Sequence, residues 1–108
     1  MNICILSGRI RGDAVAKTSK DKKTHVLSFV VETTSQYNGN EKKDLVSCVI
    51  FNASQKLEER LTQEGDALWI EAEGRVSSSS LKTAGERRFN TDVIIKNWTF
   101  AVVMPEEI

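Results

Sequence analysis

NICILSGRIR, residues 2–11, opens on four consecutive apolar side chains, Ile3, Cys4, Ile5 and Leu6, and then alternates through Ser7, Gly8, Arg9, Ile10 and Arg11. A continuous apolar run followed by alternation describes a strand covered on both faces at its start and half-exposed at its end. Gly8 falls inside the strand pattern, where glycine marks a bulge, a bend or a close backbone approach. A barrel corner satisfies all three features. The run is too short for a signal peptide and no charged residue precedes it.

Four further strands are expected downstream. THVLSFVVET, 24–33, is β-branched and aromatic, with Val26, Ser28 and Val30 on one face and Leu27, Phe29 and Val31 on the other. Asn38-Gly39 lies between two strand patterns and signals a hairpin into DLVSCVIF, 44–51. DALWIEAEGRV, 66–76, alternates Leu68, Ile70 and Ala72 against Trp69, Glu71 and Glu73, giving a fourth strand with an acidic outer face. SSSSLKTAGERR, 77–88, is a polar extension turning near Ala84-Gly85 and is expected to be a long mobile hairpin. FNTDVIIKNWTFAVV, 89–103, is the fifth strand, with a break expected near Lys96-Asn97. Its Trp98 lies in an apolar run, as a core or interface residue would.

One helical pattern interrupts the strands. In ASQKLEERLTQ, 53–63, Leu57 and Leu61 fall on one stripe, Asn52 or Ser54 can cap the start and Gly65 can end it. Glu58 and Glu59 are adjacent, so they diverge on a helix and read as solvated surface rather than an acid/base pair. His25 has no partner motif and reads as structural. Lys17–Lys23, KTSKDKK, lacks any apolar residue and reads as an exposed turn, equally compatible with a solvated loop and with phosphate contact.

The chain of 108 residues suffices for one domain with a true core, taken as residues 1–103 followed by a short acidic end at 104–108. Cys4 and Cys48 both sit in apolar runs, as buried free thiols do, which implies a reducing compartment and hence the cytoplasm. No window reaches the length of a membrane span. Formal net charge is zero but uneven: +4 over residues 1–23, −4 over 55–74 and +3 over 75–96. Polyanion binding requires a local basic surface rather than a basic total. A single histidine, with no metal-ligand cluster, nucleophile–base pair or phosphate-binding glycine loop, argues against an enzyme, and no cofactor is called for.

Three strands, a helix and two strands make an all-β chain whose edges are best managed by closure into a barrel. One helix between the third and fourth strands of a five-stranded barrel is the arrangement of the oligonucleotide/oligosaccharide-binding (OB) fold. Within that order, Asn2-x-x-x-Leu6-x-Gly8-Arg9-Ile10 with Asp13 resembles the opening of bacterial and phage single-stranded DNA-binding proteins. Val26-x-Ser28-Phe29, Cys48-Val49-Ile50-Phe51, Glu73-Gly74-Arg75-Val76 and Thr91-Asp92-Val93-Ile94 resemble the family's later strands. The resemblance implies pairing into dimers or tetramers, and binding of exposed single strands with little sequence reading, during replication, recombination or repair. Backbone phosphates would lie in a basic groove and bases on aromatic rings.

There are departures from the family. Its four stacking positions fall on Tyr37, Leu45, Phe51 and Leu81, leaving two rings. Its basic hairpin residues are here Ser77 to Ser80, the fourth strand looks about two residues longer, and Ala14 replaces a proline. The glycine-rich linker and the acidic tail ending in phenylalanine that recruit repair partners are absent. The residues expected to meet nucleic acid are Arg9, Arg11, Lys17, Lys20, Lys22, Lys23, Arg75, Lys82, Arg87 and Arg88 for phosphates, with Tyr37 and Phe51 for bases. The alternative for Phe51 is core packing. A different class of function is an OB interaction module of a primosome-type assembly that binds DNA weakly. Trp69 and the acidic 55–74 region would then be its contact surface with a replication or recombination protein.

Overall fold

The structure, a computed structural model, describes residues 1–18, 23–83 and 85–102, the backbone alone at 79–83, 86–89 and 102. The expected end at 104–108 and the loop lysines Lys20 and Lys22 therefore lie outside the described residues. Each strand pattern is a strand: β1 (Cys4–Thr18), β2 (His25–Tyr37), β3 (Asn40–Phe51), β4 (Leu68–Thr83) and β5 (Glu86–Val102). Helix α1 (Gln55–Glu64) lies between β3 and β4. The strands close into a barrel in the order β1-β2-β3-β5-β4, with β4 returning to β1 and only β3–β5 parallel. This is the OB fold.

Alternation decides what fills the barrel. Leu27 and Val31 of β2, Cys48 of β3 and Leu68 and Ile70 of β4 are completely buried, with Phe29 and Ile50 nearly so, as the expected faces require. From α1, Leu61 enters the same cluster and Leu57 packs against it, so the two-leucine stripe plugs the barrel. Of the two candidate caps, Ser54 is the one used: its hydroxyl accepts the Leu57 N–H at 3.2 Å. The helix does not stop at a left-handed glycine. Gly65 has φ −51° and leads into a short 3-10 turn, Gly65–Ala67. Glycine is needed there for another reason: a Cβ would lie 2.9 Å from the Gly12 carbonyl, where β1 crosses.

The strands outrun their apolar cores. Backbone pairing persists beyond them: β2–β3 continues through exposed residues to Tyr37↔Asn40, and β4–β5 continues to Thr83↔Glu86. Asn38 (φ 49°) and Gly39 (φ 79°) supply the two positive angles that a tight hairpin turn needs. The stretch expected as a loose hairpin at 77–88 is paired in register on both sides of its turn. Lys17 and Thr18, expected in a turn, extend β1 instead. The bend of β1 is not at Gly8 but four residues on, where Gly12 has φ +74° and the register with β2 slips between Arg11 and Val15. Gly8 is a close approach: a Cβ there would overlap the Glu32 carbonyl. The break expected near Lys96 is a bulge, with Glu73 opposite Asn97 and Gly74 opposite Ile95, leaving Lys96 unmatched.

Burial pushes the Cys48 thiol up to about 12, with Cys4 and Asp92 adding to the shift. The neutral thiol is thus favoured in the fold. Its contribution is full below the unfolded thiol's range and is lost as pH rises toward 12. At pH 8 the folded protein should resist iodoacetamide at Cys48, whereas protein in denaturant should be alkylated there, as read by peptide mass. Equal rates in both states would show that the site opens readily.

Candidate nucleic-acid interface

Because paired residues share a face, the register lays out the outer surface of the barrel in rows. One row runs Lys17, Val26, Phe51 across β1, β2 and β3. The next runs Val15, Ser28, Val49, Ile94, Arg75 across all five strands. Below them come Arg11, Val30 and Ser47, then Arg9, Glu32 and Leu45, then Thr34 and Lys43. Phe51 is 45% exposed and Leu45 68%, so both present apolar surface on this face, six residues apart along β3. Phe51 is therefore not a core residue. The Ser47 hydroxyl donates to the Asp92 carboxylate at 2.6 Å, fastening β3 to β5 below the barrel seam.

Charge at the centre of this face is already paired. Arg11 forks onto Glu32, Nε to Oε2 at 3.0 Å and Nη2 to Oε1 at 2.9 Å. Lys43 Nζ lies 3.9 Å from the same Oε1. Its hydrogen bond from Arg11 holds the Glu32 carboxyl below the usual carboxylate range, and the same bond raises the Arg11 guanidinium. Arg9 donates from Nε to the Asp66 carbonyl at 3.2 Å and approaches its carboxylate at 3.6 Å. Asp66 is fixed in turn by the Gly12 N–H at 2.9 Å. Both arginines expected to meet phosphate are thus paired with acidic side chains in the chain alone.

The other expected residues separate into groups. Lys17 and Arg75 are exposed and share the outer face with Phe51. Tyr37 is 69% exposed but continues the inward face of β2 through Val31, Thr33 and Ser35. It emerges at the hairpin tip on the side opposite Leu45 and Phe51, so the two rings do not share a face. Lys82 stands opposite Arg87, and Leu81 opposite Arg88, far out on the β4–β5 hairpin. Lys23 precedes β2. Sequence reasoning missed Lys43 and Glu32, although counting back from Phe51 by twos along β3 reaches Lys43 and counting on from Val26 along β2 reaches Glu32.

Past Arg9 the outer face continues across β1 onto β4, where Trp69 pairs with Arg9 and Glu71 and Glu73 follow. A groove of about 490 Å³ on β1, β4 and β5 is lined by Ile5, Ser7, Glu71, Glu73, Asn97 and Trp98, among others. Trp69 and Trp98 are 40% and 37% exposed, so Trp98 is not core. Asn2 pairs with the backbone of Val76 in both directions, at 2.7 and 2.9 Å, prolonging β1 along β4. His25 is structural, as its isolation suggested: the Thr18 hydroxyl reaches Nδ1 at 3.0 Å and Nε2 reaches the Glu58 carboxylate, tying β1, β2 and α1 together. Among the described residues no cluster of ligating side chains is placed to hold a metal, and no helix is long and apolar enough to cross a membrane.

Residues 1–101 match the model of the single-strand binding protein family. No curated protein matches the chain. Among solved structures, the Plasmodium falciparum SSB in complex with ssDNA superposes with a TM-score of 0.76 at 15% identity, covering 94% of this chain and 95% of that one. That likeness is one of fold.

Proposed function

The chain belongs to the single-strand binding protein family, and from there we propose that it binds single-stranded DNA, with little sequence reading, across the outer face of β1–β2–β3. The carrying observation is the row Lys17–Val26–Phe51 beside the row that ends in Arg75, an exposed ring on a broad apolar strip with a cation at either side. Such a surface suits a strand whose bases stack while its phosphates meet lysine and arginine. Leu45 and Lys43 extend it toward the β2–β3 tip. Lys82, Arg87 and Arg88, together with Lys20, Lys22 and Lys23, would add further phosphate contacts. Protection or organisation of DNA in replication, recombination or repair is the process this activity serves.

The protein acts as a homo-oligomer in this reading. β1 pairs with β4 from Cys4 but with β2 only from Arg9, so one edge of Cys4–Gly8 lacks a partner strand. Exposed Ile3 and Ile5 flank that edge, which supports pairing with a second copy. Two free thiols fit the cytoplasm.

A labelled oligothymidine titrated against a duplex of equal length tests the binding. Tyr37→Ala tests the reach of the site. The ring lies on the side opposite Phe51 but is exposed at the hairpin tip, where a strand leaving the outer face would round the turn onto it, so the substitution should weaken oligothymidine binding about fivefold, the lower end for one stacked base. Melting temperature and oligomer size should not change. Unaltered affinity would remove Tyr37 from the site.

A further inference from the structure

The binding face holds a carboxylate where a nucleic-acid binder would be expected to keep only cations. Glu32 stands directly between Arg9 on β1 and Leu45 on β3 and accepts from Nε and Nη2 along one edge of the Arg11 guanidinium, while Lys43 Nζ lies 3.9 Å from it and the same distance from Glu41. Its side chain is 17% exposed against 38% for Arg11 and 56% for Lys43, so the acid lies beneath its cations. A two-point grip on guanidinium is what a phosphate diester would itself make. That edge of the central arginine is therefore spent on an internal anion, while among the described residues Lys17 and Arg75 have no such fork.

We infer that Glu32 is a built-in competitor for backbone phosphate, so that a DNA strand takes the Nε–Nη2 fork of Arg11 only by displacing the Glu32 carboxylate. The inference rests on the single-strand reading of this face. It names what sets the strength of that site. Exchange of one anion for another keeps binding moderate and the complex readily reversible, because the arginine is never left without a partner when the strand departs. The carboxylate is ionised throughout the neutral range, since its bond from Arg11 keeps its pKa low, so the competition operates at physiological pH.

The experiment is oligothymidine binding by Glu32→Gln, followed across salt. Glutamine keeps the shape and one acceptor but drops the charge. About fivefold tighter binding at low salt is expected, the scale of one exposed ion pair. The salt dependence should also steepen by about 0.7 in log K against log [salt], the increment for one added phosphate contact on a single strand. Glu32→Gln with Arg11→Gln should lose that gain, and Glu59→Gln, which removes an equal charge from α1, should not reproduce it. A gain that survives loss of Arg11, or that Glu59→Gln matches, would mean that net charge alone is responsible and would overturn the competition. If the unaltered protein binds while Glu32→Gln matches it in affinity and slope, the competition fails and the binding face stands. If the unaltered protein binds no oligothymidine at any salt, both fall. Should Glu32→Gln not fold, the Arg11 Nε–H resonance of the unaltered protein serves: it should move as oligothymidine saturates, and a fixed resonance at saturation would contradict displacement.

Discussion

Gly74→Ala should lower the melting temperature of the barrel by about 12 °C or more. The residue faces β5 at the Lys96 bulge, and a Cβ would overlap the Ile94 carbonyl and lie 3.0 Å from the Ile95 Cα. Those atoms belong to backbone, so no rotamer relieves the contact. Either β5 moves away from β4, losing ladder hydrogen bonds near the barrel seam, or the bulge is rebuilt. Overpacking in a fixed frame costs roughly 1–3 kcal/mol and at times more. With backbone on both sides, ~3 kcal/mol is the expected minimum, and each kcal/mol shifts a domain of this size by about 4–8 °C. Gly12→Ala makes the informative contrast. Gly12 has nothing within 4 Å of a Cβ, but its φ is +74°, so only the left-handed backbone penalty of about 1–2 kcal/mol applies. A Gly74→Ala protein that melts within a few degrees of the parent would show that the β4–β5 approach is looser than its geometry indicates.

Phe51→Ala should weaken oligothymidine binding by about one to two powers of ten while leaving the fold intact. One stacked base is worth roughly 1–3 kcal/mol by alanine substitution, or about 5- to 150-fold. Phe51 is the one aromatic residue on the outward positions of β2 and β3, with Trp69 standing across β1 beside Arg9, so its share should lie well above the floor. It stands outside the buried cluster, so the melting temperature should move by only a few degrees. Phe51→Leu separates ring from apolar surface: leucine keeps apolar area for contact and loses the stacking plane, and most of the loss should remain. Unchanged affinity in Phe51→Ala would make the ring a cover for its neighbours on β1 and β2, and would direct the search to Leu45 and the hairpin.

Local features were the readily legible ones. Asn38-Gly39 announced its turn because the two angles it needs are confined to such residues. The Leu57/Leu61 stripe announced its helix, and the polar Lys96-Asn97 pair announced an irregularity that proved to be the bulge. Gly74 was visible only as part of a Glu-Gly-Arg pattern, because the reason for the glycine is the β5 backbone some twenty residues later. The strand ends were underestimated because apolar alternation marks where a strand is covered, not where pairing stops. Charge pairing was the least legible. Arg11 and Glu32 are 21 residues apart, and whether they meet depends on a register that slips at Gly12, which nothing in the side-chain pattern encodes. Tyr37 and Phe51 looked like one stacking surface in sequence. Parity along β2 and β3 assigns them to opposite faces.

The most direct measurement is titration of the protein with a labelled oligothymidine of about 35 nucleotides, long enough for more than one OB fold at roughly 4–16 nucleotides each, repeated across salt with a duplex of equal length alongside. Micromolar or tighter binding that prefers the single strand is predicted. Its log K should fall with log [salt] at about −0.7 per phosphate neutralised, giving a slope of only a few phosphates because the central arginine exchanges one anion for another. No binding at low salt, or equal affinity for the duplex, would contradict a single-strand surface on this face of the barrel.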